Sequence, residues 1–441
     1  MIFRQAALLS IVVVAVMSAK AQTERRMTVD ELFQLVESNS KTLQEQKISV
    51  EFAQKGIEAA RAQRLPDVNA SLSASYNGNV VVMDRDFTGA RGFSSPHFGN
   101  SFALEAQQVV YAGGAIDAGI RLAELQRDMA VASRRTASNA QRFVALGQYL
   151  DLFKIQNRML VYEQNIALTQ RLVDDIRAKQ EQGMALRNDV TRYELQMETL
   201  RLGLRRLQDQ QSILNHQLCN TLGLEDVNIL PDTTQLLTPP QTPPLEGEGS
   251  EKDWQALALA SSPQIEQSQL STQMAEQQLK LAKSELLPKL AVVAADNLSG
   301  PFTYDIPPID KNINFWYIGV GVKYNLSSLF KQSKKVRQAE TGIRRSLQQQ
   351  RVVAENLDNQ VQQAWTLYQQ TYADLDTQRK SVQLARQNYQ VVSDRYLNQL
   401  ALITDMLDAS NIRLNAELQE VDARINIVYA YYKMKYISGT L

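Results

Sequence analysis

Along most of this chain the apolar positions recur at alternating spacings of three and four, the pattern of helices that bury one stripe against a partner helix. Leu152, Ile155, Met159, Tyr162, Ile166, Thr169, Val173 and Ile176 mark one such seam. Leu186, Val190, Tyr193, Met197, Leu200, Leu204, Leu207, Gln211, Leu214 and Leu218 mark a second. Further on, Val361, Tyr368, Leu375, Val382, Tyr389 and Tyr396 fall every seven residues, and Leu407, Asn411, Leu414, Leu418, Val421, Ile425, Val428 and Tyr432 run back. Stripes this long are packing seams, and they predict coiled-coil hairpins.

In four short stretches the period changes from helical to two. Val68, Ala70, Leu72, Ala74 and Tyr76 share one face, with Asn69, Ser71, Ser73, Ser75 and Asn77 on the other. Phe102, Leu104 and Ala106 repeat the pattern, as do Trp316, Ile318, Val320, Val322 and Tyr324, while Leu290 to Leu298 is a weaker version. The expected strands are about 67–82, 98–111, 289–298 and 315–326. One apolar face and one face of small polar residues suit a strand between lipid and water, and about ten residues suffice to cross a bilayer when tilted. Aromatics near the ends (Tyr76, Phe98, Phe302, Tyr304, Phe315, Trp316) suit interfacial girdles. A soluble sandwich of four strands would read much the same. Four strands cannot close a barrel, however, and lipid tolerates no open edge, so membrane strands require further copies of the chain. Symmetry alone permits two, three or four.

The elements occur twice. Each half has a helix ending in Leu-Pro (Leu65-Pro66, Leu287-Pro288), two strands, a long helix, a tip and a returning helix. The tips align without gaps as QGMALRNDV (Gln182 to Val190) and NQLALITDM (Asn398 to Met406), and Gly223 and Gly439 end the two returns at the same offset. The first repeat is placed at 22–229 with its tip about 183–189, and the second at 253–441 with its tip about 398–405. Between them, 230–252 contains TPPQTPPLEGEGS, rich in Pro, Gly and Glu as an exposed linker would be. Predicted helices at Thr28–Arg64 and Asn188–Leu222 together match the long helix Gly113–Gln182. Likewise Asp253–Leu286 and Thr404–Ser438 together match Ser328–Leu397. At 1.5 Å per residue each assembly is about 100 Å long.

Composition narrows the function. Residues 1–21 read as a signal peptide: Arg4, the apolar run Ala6 to Met17, then Ala19-Lys20-Ala21 before Gln22. The run is too short to span a bilayer as a helix. Lys plus Arg and Asp plus Glu number 47 each, so no global field favours nucleic acid. Cys219 is the single cysteine, in a helical stretch, and reads as a buried small hydrophobe. The two histidines, His97 and His216, lack metal-ligand spacing, and no phosphate loop or nucleophile elbow occurs. The expectation is no enzyme, no cofactor and no metal. The fold class expected is mainly α with a membrane β part.

The Leu-Pro before each strand pair, VVYAGGAIDAGIRLAE (Val109 to Glu124), YNLSSLFKQSKKVRQAE (Tyr324 to Glu340) and the two tips together resemble the TolC-like outer membrane efflux proteins. That resemblance covers essentially the whole mature chain. It implies a homotrimer whose twelve-stranded barrel, four strands from each chain, continues into an α-helical tunnel through the periplasm. It also implies docking of a periplasmic adaptor and an inner-membrane pump of RND or ABC type, for drug efflux or type I secretion. The alternative is a periplasmic adaptor or a structural coiled coil of the envelope, neither of which needs two hairpins and lipid-facing strands.

By the same resemblance TDMLDAS (Thr404 to Ser410) carries the acidic ring of the tunnel aperture, which assigns Asp405 and Asp408 to it. Their spacing of three puts both carboxylates on one helix face. Asp405 also fits as a cap of the returning helix. Tyr396 matches a tyrosine that holds the aperture shut, besides being part of a heptad stripe, and Asp189 matches an acidic position at the first tip. A basic residue that the family often carries four positions before the first aspartate is Ala401 here, so the latch is a different set of contacts. Adaptor contact is expected on Gly183, Met184, Ala185 and Leu186 and on Leu400, Ala401, Leu402 and Ile403, apolar residues at helical turns that otherwise pack the turn itself. Asn398, which tolerates a left-handed turn, is expected to supply the tight second tip.

Overall fold

The computed structural model describes residues 24–225, 227–232, 250–302 and 308–441. The expected signal peptide, residues 233–249 of the expected linker and Tyr304 lie outside the described residues.

The chain begins with β1 (Glu24–Met27), α1 (Val29–Asn39) and α2 (Lys41–Ala62), followed by β2 (Asp67–Tyr76), β3 (Val80–Val82), β4 (Arg91–Phe93) and β5 (Phe98–Tyr111). The long helix α3 (Ala115–Glu181) and its return α4 (Arg187–Leu222) lead to β6 (Asn228–Pro231). The second half has α5 (Glu251–Ser261), α6 (Pro263–Ser284), β7 (Lys289–Gly300), β8 (Ile313–Lys323), α7 (Ser328–Leu397) and α8 (Ile403–Ser438). The two halves thus repeat the same order of short helix, longer helix, strands, long helix and return.

Three sequence expectations are corrected. The helices expected at Thr28–Arg64 and Asp253–Leu286 are each broken once, at Ser40 and at Ser262. Ser262 adopts extended backbone (ψ 123°) because Pro263 follows it, and its hydroxyl accepts from the Gln264 amide. At Ser40 (ψ 121°) the amide closes α1 onto the Val36 carbonyl while α2 starts afresh. The strand expected over 67–82 stops at Tyr76, where Asn77-Gly78-Asn79 ends the alternation, and Val80–Val82 pairs instead with Arg91–Phe93. The parallel pair β1–β6, four residues on each side, was too short to leave a periodic signal.

The main sheet runs β2-β5-β7-β8, all neighbours antiparallel. Its register puts Leu72 opposite Phe102, Phe102 opposite Leu298, and Ala294 opposite Ile318, so these apolar residues of all four strands share one face, which also carries Asp296 between Leu104 and Trp316. Leu72 is 81% exposed and Ile318 72%, so no described residue covers either of them. The opposite face carries Ser71, Ser73, Ser101, Glu105, Gly319 and Gly321. Among the described residues, the outer strands β2 and β8 each pair on one side only.

Away from the sheet, the helices are fastened at mid-length. Met27, Leu32, Val36, Leu146, Tyr149, Leu152, Leu218, Leu222 and Ile229 are all fully buried in one cluster that Ile425 and Val428 of α8 also enter. Each such side chain contributes about 1.5–3 kcal/mol by leaving water. Tyr149 ties the cluster to the small parallel sheet: its hydroxyl donates to the Met27 carbonyl (2.6 Å) and accepts from the Asp232 amide (3.0 Å). Cys219 is buried here, its thiol donating to the Val227 carbonyl at 3.2 Å. Glu37 lies at the edge of the cluster. Partial burial alone would raise its pKa, but hydrogen bonds from Ser138 and Arg134, with the charge of Arg142, hold it below the ordinary 4.5.

Candidate functional site

At the far ends of the hairpins the chain reverses twice by the same device. Helix α3 ends with Gly183 in the left-handed region (φ 76°), where its amide bonds the Gln180 carbonyl and the Met184 amide bonds the Lys179 carbonyl (2.8 Å). Helix α7 ends with Gln399 at φ 64°, its amide on the Tyr396 carbonyl and the Leu400 amide on the Arg395 carbonyl (2.7 Å). These are paired Schellman closures, which satisfy carbonyls that a helix end leaves free. The left-handed residue of the second tip is therefore Gln399, not Asn398 as its side chain had suggested. Asn398 keeps a negative φ and donates its side-chain amide to the Asp394 carbonyl at 2.7 Å.

Each return helix starts with an acid at its third position. Asp189 accepts from the Leu186 amide (3.4 Å) and Asp405 from the Leu402 amide (3.1 Å). A carboxylate there also meets the positive end of the helix dipole. Asp405 is thus a helix cap, and one turn further along Asp408 is exposed to solvent. Both carboxylates stand on the open face of α8.

Behind the turns, Val173, Ile176, Val190, Tyr193, Tyr389, Met406 and Ala409 form an apolar knot against which Ala185, Ile403 and Tyr396 pack. Burial pushes the Tyr396 hydroxyl above the usual tyrosine range, and the negative charge of Asp189 adds to this. Tyr193 is pushed up further by the same burial, with Tyr396, Tyr389 and Asp189 adding to it. The structure therefore brings Asp189, Tyr396 and Tyr193 together, whereas Asp405 and Asp408 lie toward solvent. Arg413 was missed in the sequence: its guanidinium stacks 4.0 Å from the Tyr389 ring centroid. A cation beside an apolar stripe was the only available signal.

The tip apolar residues divide into two groups. Met184, Leu186, Leu400 and Leu402 are exposed, the last three by about two-thirds of their surface or more. Ala185, Ala401 and Ile403 are half-buried, Ala185 and Ile403 packing against the apolar knot, and Gly183 is exposed. Among the described residues no group of His, Cys, Asp or Glu is arranged to hold a metal ion. No described helix is long and apolar enough to cross a membrane.

Against known proteins, the family profile described as outer membrane efflux protein matches the chain twice, over residues 32–224 and 254–440. The outer membrane efflux protein BepC of Brucella suis biovar 1 (strain 1330) is 22% identical over 418 residues, covering 91% of this chain and 83% of BepC. Among solved structures, the outer membrane protein VceC from Vibrio cholerae superposes with a TM-score of 0.73 at 16% identity, over 93% of this chain and 96% of VceC. The open state of the Neisseria gonorrhoeae MtrE outer membrane channel superposes with a TM-score of 0.71 at 13% identity, over 93% of this chain and 88% of MtrE. With the profile matched once in each half, and a lipid-suited sheet joined to long helical hairpins, the chain belongs to the outer membrane efflux protein family of TolC-like channels, outer-membrane proteins that act in transport and carry out no catalysis.

Proposed function

We propose that three copies of this chain close a twelve-stranded barrel and extend it as a helical tunnel, the exit duct of a tripartite efflux or type I secretion system. The observation that carries this reading is the four-stranded sheet with an uncovered apolar face and two open edges. In lipid those edges must pair, and pairing β8 of one copy with β2 of the next closes the ring. Substrates pass from an inner-membrane pump of RND or ABC type through a periplasmic adaptor, which docks on the exposed Met184, Leu186, Leu400 and Leu402 with Gly183, Ala185, Ala401 and Ile403 shaping the turns. The periplasmic mouth is ringed by Asp405 and Asp408, six carboxylates in a trimer, with Tyr396 and Asp189 behind them. Such a ring attracts cations.

Planar-bilayer recording from the purified full chain tests the duct. Discrete conductance steps are expected, and a protein that inserts without conducting would remove the reading. Cross-linking in membranes should trap dimers and trimers and nothing larger. Asp405→Ala with Asp408→Ala should weaken block by multivalent cations; unchanged block would remove those residues from the mouth.

A further inference from the structure

Along β2 and β5 the polar face of the sheet carries Asn69, Ser71, Ser73, Ser101, Ala103 and Glu105, as the water-lined wall of a barrel does. Strand β8 departs from this. Ile313, Phe315 and Tyr317 stand on the same side, opposite Ser299, Asn297 and Ala295 of β7. Alternation sends Trp316 to the apolar side and its neighbour Phe315 to the polar one, so Phe315 does not join the lipid girdle that its place near a strand end suggests. Phe315 is 62% exposed and Tyr317 43%, with ring centroids 6.0 Å apart. Aromatic surface left open on a wetted face favours anything apolar that covers it.

The surroundings make this pair one wall of a shallow tray. From Tyr317 the register continues through Ala295 to Glu105 and Asn69, and Gly319 and Gly321 follow Tyr317 on the same face. At both glycines the space that a side chain would fill is empty. Neighbouring strands lie about 4.8 Å apart, so the Glu105 backbone stands about 10 Å from that of Tyr317, with only the methyl of Ala295 between them. Asp67 lies one row nearer the helices on β2, and among the described residues neither Asp67 nor Glu105 forms an ion pair or a side-chain hydrogen bond. The cations of this face, Lys289 and Lys323, are six residues further along their strands, about 20 Å away, and Lys289 is paired with Glu285.

Two open aromatic rings, a floor of small residues and carboxylates without a counter-charge complement one kind of solute. A planar aromatic cation can lay its rings on Phe315 and Tyr317 while its charge faces Glu105. An anion meets repulsion from Glu105 and Asp67, and a small hydrated cation gains nothing from the rings. We propose that this patch is a transit site for planar aromatic cations on the barrel wall, in the half remote from the helices. The proposal rests on reading the polar face as the wall of a duct. Conduction requires such a site to hold its solute weakly enough to let it leave.

Ethidium is a suitable probe. Its fluorescence anisotropy, titrated with the purified full chain, should show saturable binding that Phe315→Ala with Tyr317→Ala weakens about fivefold or more. Tyr317→Phe keeps the ring and should bind as wild type, whereas Glu105→Gln should weaken binding about twofold. Tetramethylammonium carries the charge without the rings and should not compete. Should the alanine variant fail to assemble, Phe315→Thr with Tyr317→Thr keeps strand-forming residues and carries the same expectation. Unchanged ethidium binding in assembled variants overturns the site, as does full displacement by equimolar tetramethylammonium. In planar bilayers, ethidium added on the side remote from the helices should block the wild-type channel and spare the double variant. A chain that conducts but whose ethidium binding ignores these substitutions overturns the site alone. One that binds ethidium through them yet conducts nothing overturns the duct and keeps the site.

Discussion

Gln399 occupies a backbone region that costs an L-residue about 1–2 kcal/mol, whereas its counterpart Gly183 adopts the same turn without that penalty. Gln399→Gly relieves the strain, while the greater freedom of glycine in the unfolded chain returns about 0.5–1 kcal/mol. The second tip should therefore gain about 0.5–1 kcal/mol, a two- to fivefold shift in its opening equilibrium. The mirror substitution, Gly183→Ala, meets nothing within 4 Å and so suffers only the backbone strain. It should weaken the first tip by a similar amount. The amides that close the two turns, Leu400 on Arg395 and Met184 on Lys179, report each tip separately by hydrogen exchange. Exchange at Leu400 should slow two- to fivefold in Gln399→Gly, and exchange at Met184 should quicken comparably in Gly183→Ala. Unchanged rates at both amides would refute the argument that left-handed backbone governs tip stability.

Tyr149→Phe removes two buried hydrogen bonds while Asp232 still donates to the Met27 carbonyl, so a loss of about 1–3 kcal/mol is expected in denaturant titration. Asp405→Ala should cost the start of α8 about 0.5–1 kcal/mol in local exchange, since its carboxylate caps the helix, whereas Asp408→Ala should leave that exchange unchanged. Because Glu37 titrates below 4.5 in the folded chain, its contribution is present above that pH and lost as pH falls through the lower folded value; Glu37→Gln should flatten this acid limb of a stability profile. Buried Tyr193 and Tyr389 and half-buried Tyr396 titrate above 10.0, so the knot behind the tips is held by neutral phenols below pH 10 and loosens as pH rises past it. Faster exchange at Leu400 in alkali should report this.

Periodicity was legible wherever one face of an element is buried over many residues. The stripe from Val361 to Tyr389 turned out buried along α7 because a seven-residue spacing leaves a helix one face to hide. Alternation at Val68, Leu72 and Tyr76 likewise marked a face before anything was known of its surroundings. Duplication made the tips comparable, and with it the glycine at 183 and the acids at 189 and 405.

Other features depended on contacts between distant segments. Ser262-Pro263 carried a readable break, but Ser40 did not, because only the packing of α1 into the central cluster shows where that helix must turn. The left-handed residue at the second tip is decided by the geometry of the reversal, which overrides the ordinary preference of Asn over Gln for that backbone. Arg413, Asn165 and Glu417 form one hydrogen-bonded chain, yet they are spread over some 250 positions and look like ordinary coiled-coil surface until α3 and α8 are laid together. The sequence by itself determined the long helices, the two-faced strands and their repetition, since these follow from local spacing. Only the tertiary structure decided which polar side chains are buried between the hairpins, because that depends on which helix faces meet.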